Sequence, residues 1–516
     1  MKNSLAVLGT SSLFLVNSLS SFKLQDGFFD YFVQSFSYIT KSSIFQKINI
    51  GAFVASLAKI AYTVYKDKKT SKAITKDVNK KNNSLFEKLE NLKDPVENAN
   101  KFAGYSGEHL TQLYQSKELA PIDYHDSVQY RALKSSGKGY ITEFNFDSDV
   151  TAIMSESAIS DNNHLAGHLA IVDECFDMID MHKTYIFSNK KPEKNAGIVD
   201  ILKENYIIPI MTTNSKMTEC KVQPSRKFFG ISCGIMPAIL DNLSSIGIGV
   251  DMNGMLRFNS ISCNLFCLIS QKCFSRLGLD YRGPENVTQI GLVTKSIETL
   301  KHLHQSLTKK ENKKIDPTGF FSNAGEDCDL QSLKIGYMKN FIDNKPEFMI
   351  ESQNKSISNL INFLSSRGCK LIEVKCERPS KIFKDFYNFM KIDNKASNDA
   401  KFSKTFLRTW SDLELDFMIT PISNIALPKK LNEETLQYAH DFLSIANRTG
   451  LSAGTIPLYK IDKNSEIFDE SSPEAKLYAD EIKDSIGLYT GVQVLGRAYD
   501  ESRLVSFMQH IDEMKR

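Results

Sequence analysis

The stretch Phe228–Ile269, FFGISCGIMPAILDNLSSIGIGVDMNGMLRFNSISCNLFCLI, constrains the fold more than any other part of the chain. It begins with small residues, passes through an apolar run with strand character at Ile246–Val250 and turns tightly at Asp251–Gly254. A second run of small and apolar residues follows. Apolar residues without polar alternation mark a segment buried on both sides, and a glycine-containing break at its end marks a sharp change of chain direction.

The rest of the chain supplies partners for such a segment. From Ser84, Leu85, Phe86, Leu89 and Leu92 recur at helical spacing with lysines and glutamates opposite, and Asp94-Pro95 closes that helix. His109–Pro121 reads as a helix and turn. In Asn195–Glu219 an amphipathic helix carrying Ile198, Val199, Ile201 and Leu202 leads into a buried strand at Tyr206–Ile210, closed by Thr213-Asn214. Lys309–Asp327 reads as a polar linker. A second half follows, with strand Leu333–Tyr337, helix Ser356–Arg367 ended at Gly368, and strand Lys370–Val374. Buried strands alternating with amphipathic helices imply an α/β sheet covered by helices on both faces.

The 516 residues, at a net charge of +3, are ample for one large domain and an appendage, and the near-neutral balance gives no argument for a nucleic-acid partner. The nine cysteines lack paired metal-ligand spacing; Cys263, Cys267 and Cys273 lie in an apolar run and read as small buried hydrophobes. No metal and no cofactor is expected.

The first 80 residues differ in kind. No acid precedes Asp26, Lys2 stands before the apolar run Leu5–Val16, and serine is frequent, as in secretory or mitochondrial targeting segments. Ile48–Tyr65 holds a single charge, Lys59, and is close to the length of a membrane span. The basic run Lys66–Lys81 behind it suits anionic headgroups. We therefore divide the chain into a targeting or membrane-associated region with its basic linker, 1–80, and a folded domain, 81–516.

The central stretch resembles the signature segment of the amidase signature family, closest to its fatty-acid amide hydrolase branch. Gly247, Gly249, Asp251, Gly254, Arg257, Phe258 and Cys263 fall on matching positions. Further matches are Asn195–Glu219, Trp410–Pro428, Phe442–Pro457 with its turn Gly454–Pro457, and Gly491–Met508, so that the likeness extends from Leu110 to Met514. It implies the amidase signature fold, with a mixed central sheet, helices on both faces and an N-terminal apolar, helical extension.

The resemblance also implies a reaction that this chain lacks the groups to perform. Met255 stands at the position of the nucleophilic serine. The branch's spacing puts the bridging serine at Ile231, and a one-residue slip would put it at Ser232. Asp173, before Glu174-Cys175-Phe176, holds the position of the basic lysine. A thioether has no proton to lose and forms no acyl-enzyme. The turn Met252-Asn253-Gly254-Met255 retains the outline of an oxyanion hole. Phe228 and Phe229 replace small residues and are expected to fill the old pocket, and Glu377–Phe402 is too short and polar for the branch's lipid-gating cap.

The expected function is that of an inactive, structural or accessory subunit of a membrane-associated complex. Its partners are other protein subunits, with membrane or lipid contacted through the N-terminal region. The mitochondrial inner membrane is the first compartment and the endoplasmic reticulum the second. Two alternatives stay open: a lipid-amide-binding protein with an open cavity above Met255, and a hydrolase with relocated groups such as Ser232 or Cys233 beside Lys216 or Lys227.

Overall fold

Eleven strands form one mixed sheet in the computed structural model of the chain. It describes residues 102–515 with gaps, the longest at 146–163, 316–327, 378–396 and 428–440, and some helical positions between 76 and 87. The expected apolar helix Ile48–Tyr65 and most of the helix from Ser84 lie outside the described residues. The chain divides into two units, residues 1–79 with 386–393, and residues 80–385 with 394–516. The sheet belongs to the second.

In chain order the elements are α1 (Gly107–Gln115), α2 (Pro121–Ser135), β1 (Ile141–Phe144), β2 (Leu169–Asp173), α3 (Gly197–Glu204) and β3 (Ile208–Thr213). A small hairpin, β4 (Thr218–Cys220) and β5 (Arg226–Phe228), precedes α4 (Ile235–Leu240), β6 (Ile246–Met252), α5 (Met255–Ser262), β7 (Phe266–Ser270), β8 (Thr288–Thr294) and α6 (Ile297–Ile315). The second half runs β9 (Lys334–Tyr337), α7 (Glu351–Ser366), β10 (Lys370–Glu373), α8 (Ser397–Asp412), β11 (Phe417–Pro421) and α9 (Ser444–Thr449). It ends with β12 (Ser452–Lys460), α10 (Pro473–Ser485), β13 (Tyr489–Gly496) and α11 (Glu501–Asp512). The strand order is β1-β3-β2-β6-β8-β7-β12-β13-β11-β9-β10. Pairing is parallel for β3-β2-β6 and for β11-β9-β10 and antiparallel between.

The register shows that helices cover both faces. Gly291 of β8 lies against Leu256 of α5. Its neighbour Leu292 pairs with Leu268 of β7, which pairs with Gly454 of β12. Paired residues share a face and successive residues do not. Gly454 therefore looks to the opposite side, where Met508 of α11 packs on it. Strands enclosed in this way carry no polar alternation, and every residue of β2, β6, β7 and β8 is buried.

Several boundaries differ from the sequence reading for identifiable reasons. The strand expected at Tyr206–Ile210 starts at Ile208, because Tyr206 takes a φ of 58° in the cap of α3. There the Ile207 N–H donates to Leu202 O at 2.9 Å, the long bond of a Schellman cap. Helix α7 starts ahead of Ser356 because the Glu466 carboxylate accepts the N–H groups of Glu351 (2.8 Å) and Ser352 (3.0 Å). Helix α6 runs on to Ile315, through the start of what reads as a linker. Gly454–Pro457 is not a turn but the middle of β12, whose register shifts between Pro457 and Tyr459, past a residue with no N–H to give.

Candidate functional site

Strand β6 delivers its last residues, Asp251 and Met252, to a turn made by Asn253 (φ 55°) and Gly254 (φ 91°), and α5 begins at Met255. Gly254 is required twice over. Its φ is left-handed, and an added Cβ would collide with Leu443. This strand, turn and helix put residue 255 at the first helical position, over the end of the strand.

The turn is clamped by a buried ionic network. The Asp251 carboxylate accepts the backbone N–H of Gly254 (3.2 Å) and of Arg257 (3.1 Å), and the Arg257 guanidinium through Nε (3.3 Å) and Nη2 (2.9 Å). Arg257 also donates to Asn447 Oδ1 (2.5 Å) and to Gln493 Oε1. Asn447 Nδ2 returns bonds to Asp251 O (3.2 Å) and Oδ2 (3.1 Å). Gln493 Nε2 is in turn held by Thr420 Oγ1 (2.9 Å) and Phe442 O (3.1 Å). Asp251 and Arg257 are both 0% exposed. A buried pair is tolerated when geometry and further hydrogen bonds offset the lost hydration, as they do here. Sequence reading placed Asp251 and Arg257, and matched the segments that carry Asn447 and Gln493 without giving either residue a role.

Met255 is buried rather than exposed. It is 5% exposed and belongs, with Phe228 at 3%, to one buried apolar cluster. Gly230, at φ 83°, lies directly against it: an added Cβ there would stand 2.8 Å from Met255 Cβ and 3.0 Å from Cγ. Of the four turn residues expected to retain an oxyanion hole, Met252 pairs with Thr288 in the sheet, and the Gly254 N–H points at the Asp251 carboxylate. Ile231 and Phe229 lie outside the described residues.

Asp173 ends β2, buried, with its Oδ1 accepting the Cys175 N–H at 2.7 Å. Val172 pairs with Ile248, so Asp173 comes level with Gly249 on the same face of the sheet. Ser232 lies over Gly249, whose added Cβ would be 2.9 Å from Ser232 Cβ. The structure thus brings Ser232, at a left-handed φ of 62°, toward the face that carries Asp173. Its hydroxyl oxygen accepts the Val250 N–H at 2.8 Å. Lys216 and the Lys227 side chain lie outside the described residues.

A lysine that sequence reading missed stands close by. Lys183 is buried, and its Nζ donates to Cys175 O (2.8 Å) and pairs with Asp177 (2.6 Å). Its ammonium fastens the loop after Asp173. No spacing rule singled it out, because it follows the expected base position rather than occupying it. Burial raises the thiols of Cys267 and Cys273 far above their ordinary range, which keeps them protonated and inert. Among the described residues no group of three or more His, Cys, Asp or Glu is arranged to hold a metal.

No family model and no curated protein matches the chain by sequence. Solved structures do. A fatty acid amide hydrolase superposes with a TM-score of 0.63 at 16% identity, covering 86% of this chain and 90% of its own. An amidase family protein from Bacillus anthracis str. Ames gives 0.60 at 11% identity, over 83% of this chain and 95% of its own. A glutamyl-tRNA(Gln) amidotransferase subunit from Thermotoga maritima gives 0.59 at 16%, over 80% and 95%. The fold is therefore the amidase signature fold.

Proposed function

We propose that the protein is a catalytically inactive member of this fold that serves as a structural or accessory subunit of a membrane-associated complex. The observation that carries the reading is Met255: the position of the expected nucleophile is a thioether packed under Gly230 in the apolar core. No acyl-enzyme can form on it. The burial of Met255 and Phe228 speaks for the scaffold and against a lipid-amide pocket above the turn. One structural neighbour is by its own name a subunit of a larger enzyme, which lends the subunit role a precedent within the fold.

A purified preparation should stay unlabelled by a serine-directed fluorophosphonate. The reading to beat is a hydrolase working through Ser232, whose hydroxyl is on the face that carries Asp173. Labelling that disappears in Ser232→Ala would establish that alternative and end the inactive one.

The membrane half of the proposal rests on the sequence of residues 1–80. Among the described residues no helix is long and apolar enough to cross a membrane. The mitochondrial inner membrane is the proposed compartment, with the endoplasmic reticulum second. Native membranes washed in mild salt should retain the full chain, whereas a chain lacking residues 1–80 should be released in folded form. Release of the full chain by the same wash would overturn this half and leave the catalytic half untouched.

A further inference from the structure

On the side of the domain formed by α1 and α6, a cleft of about 210 Å³ opens between α1, the approach to β2 and the first turns of α6. Its walls include Glu108, Gln112 and Gln115 of α1, His164 before β2, and His302 of α6. The rings of His164 and His302 stack with centroids 4.2 Å apart and planes at 26°. Thr111 holds the wall in place, its hydroxyl donating to His164 O at 2.7 Å.

Among the described residues Glu108 is the only carboxylate lining the cleft. It accepts the Thr299 N–H (2.8 Å), the Thr299 hydroxyl (2.9 Å) and the Ser296 hydroxyl. Hydrogen bonds from Ser296, Ser106 and Thr299 outweigh its partial burial and hold its carboxyl below the usual range, so it is charged at neutral pH. His302 is pushed below its ordinary value, first by burial and then by His164, so it stays neutral. The cleft therefore offers one negative charge, neutral aromatic nitrogen, amide oxygens and a flat ring face. An organic cation suits that set. The volume is below the roughly 300 Å³ at which drug-sized ligand pockets begin, so only a small group fits. A planar cation stacks on an aromatic ring and pairs with a carboxylate at the same time, which a hydrated ammonium does less well.

We propose that this cleft binds a guanidinium group, presented by a small free cation or by an arginine side chain of another chain. The proposal is independent of whether the turn at Met255 is catalytic. It implies a pH dependence. Protonation of His302 at low pH places positive charge on the wall and repels the guest. The groups acting on His302 are His164 before β2 and Glu298, Lys301 and Gln305 on α6, and His302 in turn acts, with Glu108 on α1, on His168. Glu298 is engaged by Gln509 Nε2 at 2.6 Å.

The test is a titration of the full chain, carrying 13C-labelled histidine, with methylguanidinium, read by NMR. The resonances of His164 and His302 should move together and saturate, with binding weaker at pH 5 than at pH 7.5. Glu108→Gln, which keeps an acceptor for Thr299, should weaken binding about tenfold, the effect of about 1.4 kcal/mol. Gln112→Arg, on an exposed position at the rim, should fill the cleft from within and abolish the response. A blocked arginine peptide binding at least about tenfold tighter than methylguanidinium would identify a partner's side chain as the source. Equal or weaker peptide binding would identify a free cation. A response that does not saturate, that potassium reproduces, or that survives Gln112→Arg would overturn the proposal.

Discussion

Arg257→Ala is expected to cost about 3–5 kcal/mol of stability, the range for removing one partner of a buried ion pair. The substitution strands the Asp251 carboxylate at 0% exposure and removes the donor that the side-chain oxygens of Asn447 and Gln493 share. The damage spreads because one guanidinium ties β6, α9 and β13 together. Whole domains are stable by only about 5–15 kcal/mol, so the variant should lose a large share of its margin and expose the β6–α5 turn to proteolysis. The double variant Asp251→Asn with Arg257→Met removes both charges and should recover part of the loss, since the single change suffers mainly from an uncompensated charge. Urea unfolding of the three proteins decides it. A loss under about 1 kcal/mol in Arg257→Ala would mean that water reaches Asp251 and that the network is not the clamp described here.

Met255→Ser is expected to destabilise the protein by about 2–5 kcal/mol and to confer no amidase activity. The thioether fills space against Gly230 within the apolar cluster, and serine would leave a cavity there and place a hydroxyl among apolar side chains. In a working enzyme the sign usually runs the other way, because an active site sacrifices stability for function. The new hydroxyl would also need a base to become nucleophilic. Asp173 already accepts the Cys175 N–H, and Lys183 is paired with Asp177. Adding Ile231→Ser and Asp173→Lys places the new lysine beside buried Glu174 and close in sequence to Asp177, carboxylates that favour its protonated, non-basic form. Turnover of oleamide or a short amide by Met255→Ser, clearly above the unmodified protein, would show that a base and an open pocket survive. The inactive reading would then be lost.

Much of the fold was legible because the relevant signals are local. The alternation of buried strands with amphipathic helices fixes an α/β sheet, and Asp251–Gly254 announces a turn in which a left-handed glycine is required. The proposal about Met255 likewise starts from one side chain's chemistry, since a thioether has no proton to lose. What the tertiary structure decided depends on groups distant in sequence. Gln493 reaches Arg257 across 236 positions and Asn447 across 190, so the likeness of their segments could not say which group each would bind. Glu466 caps α7 from 114 and 115 positions away by accepting the N–H groups of Ser352 and Glu351, while the N-cap residue Ile350 gives no side-chain bond. Tyr206 delays β3 because capping α3 took precedence over strand character. Ser232 comes to lie over Gly249, toward the face of Asp173, because parallel pairing of β2 with β6 aligns positions that periodicity alone cannot align. A pattern along the chain says which face of an element is buried; the partner buried against it is settled by register and by hydrogen bonds that close only when the whole sheet has formed.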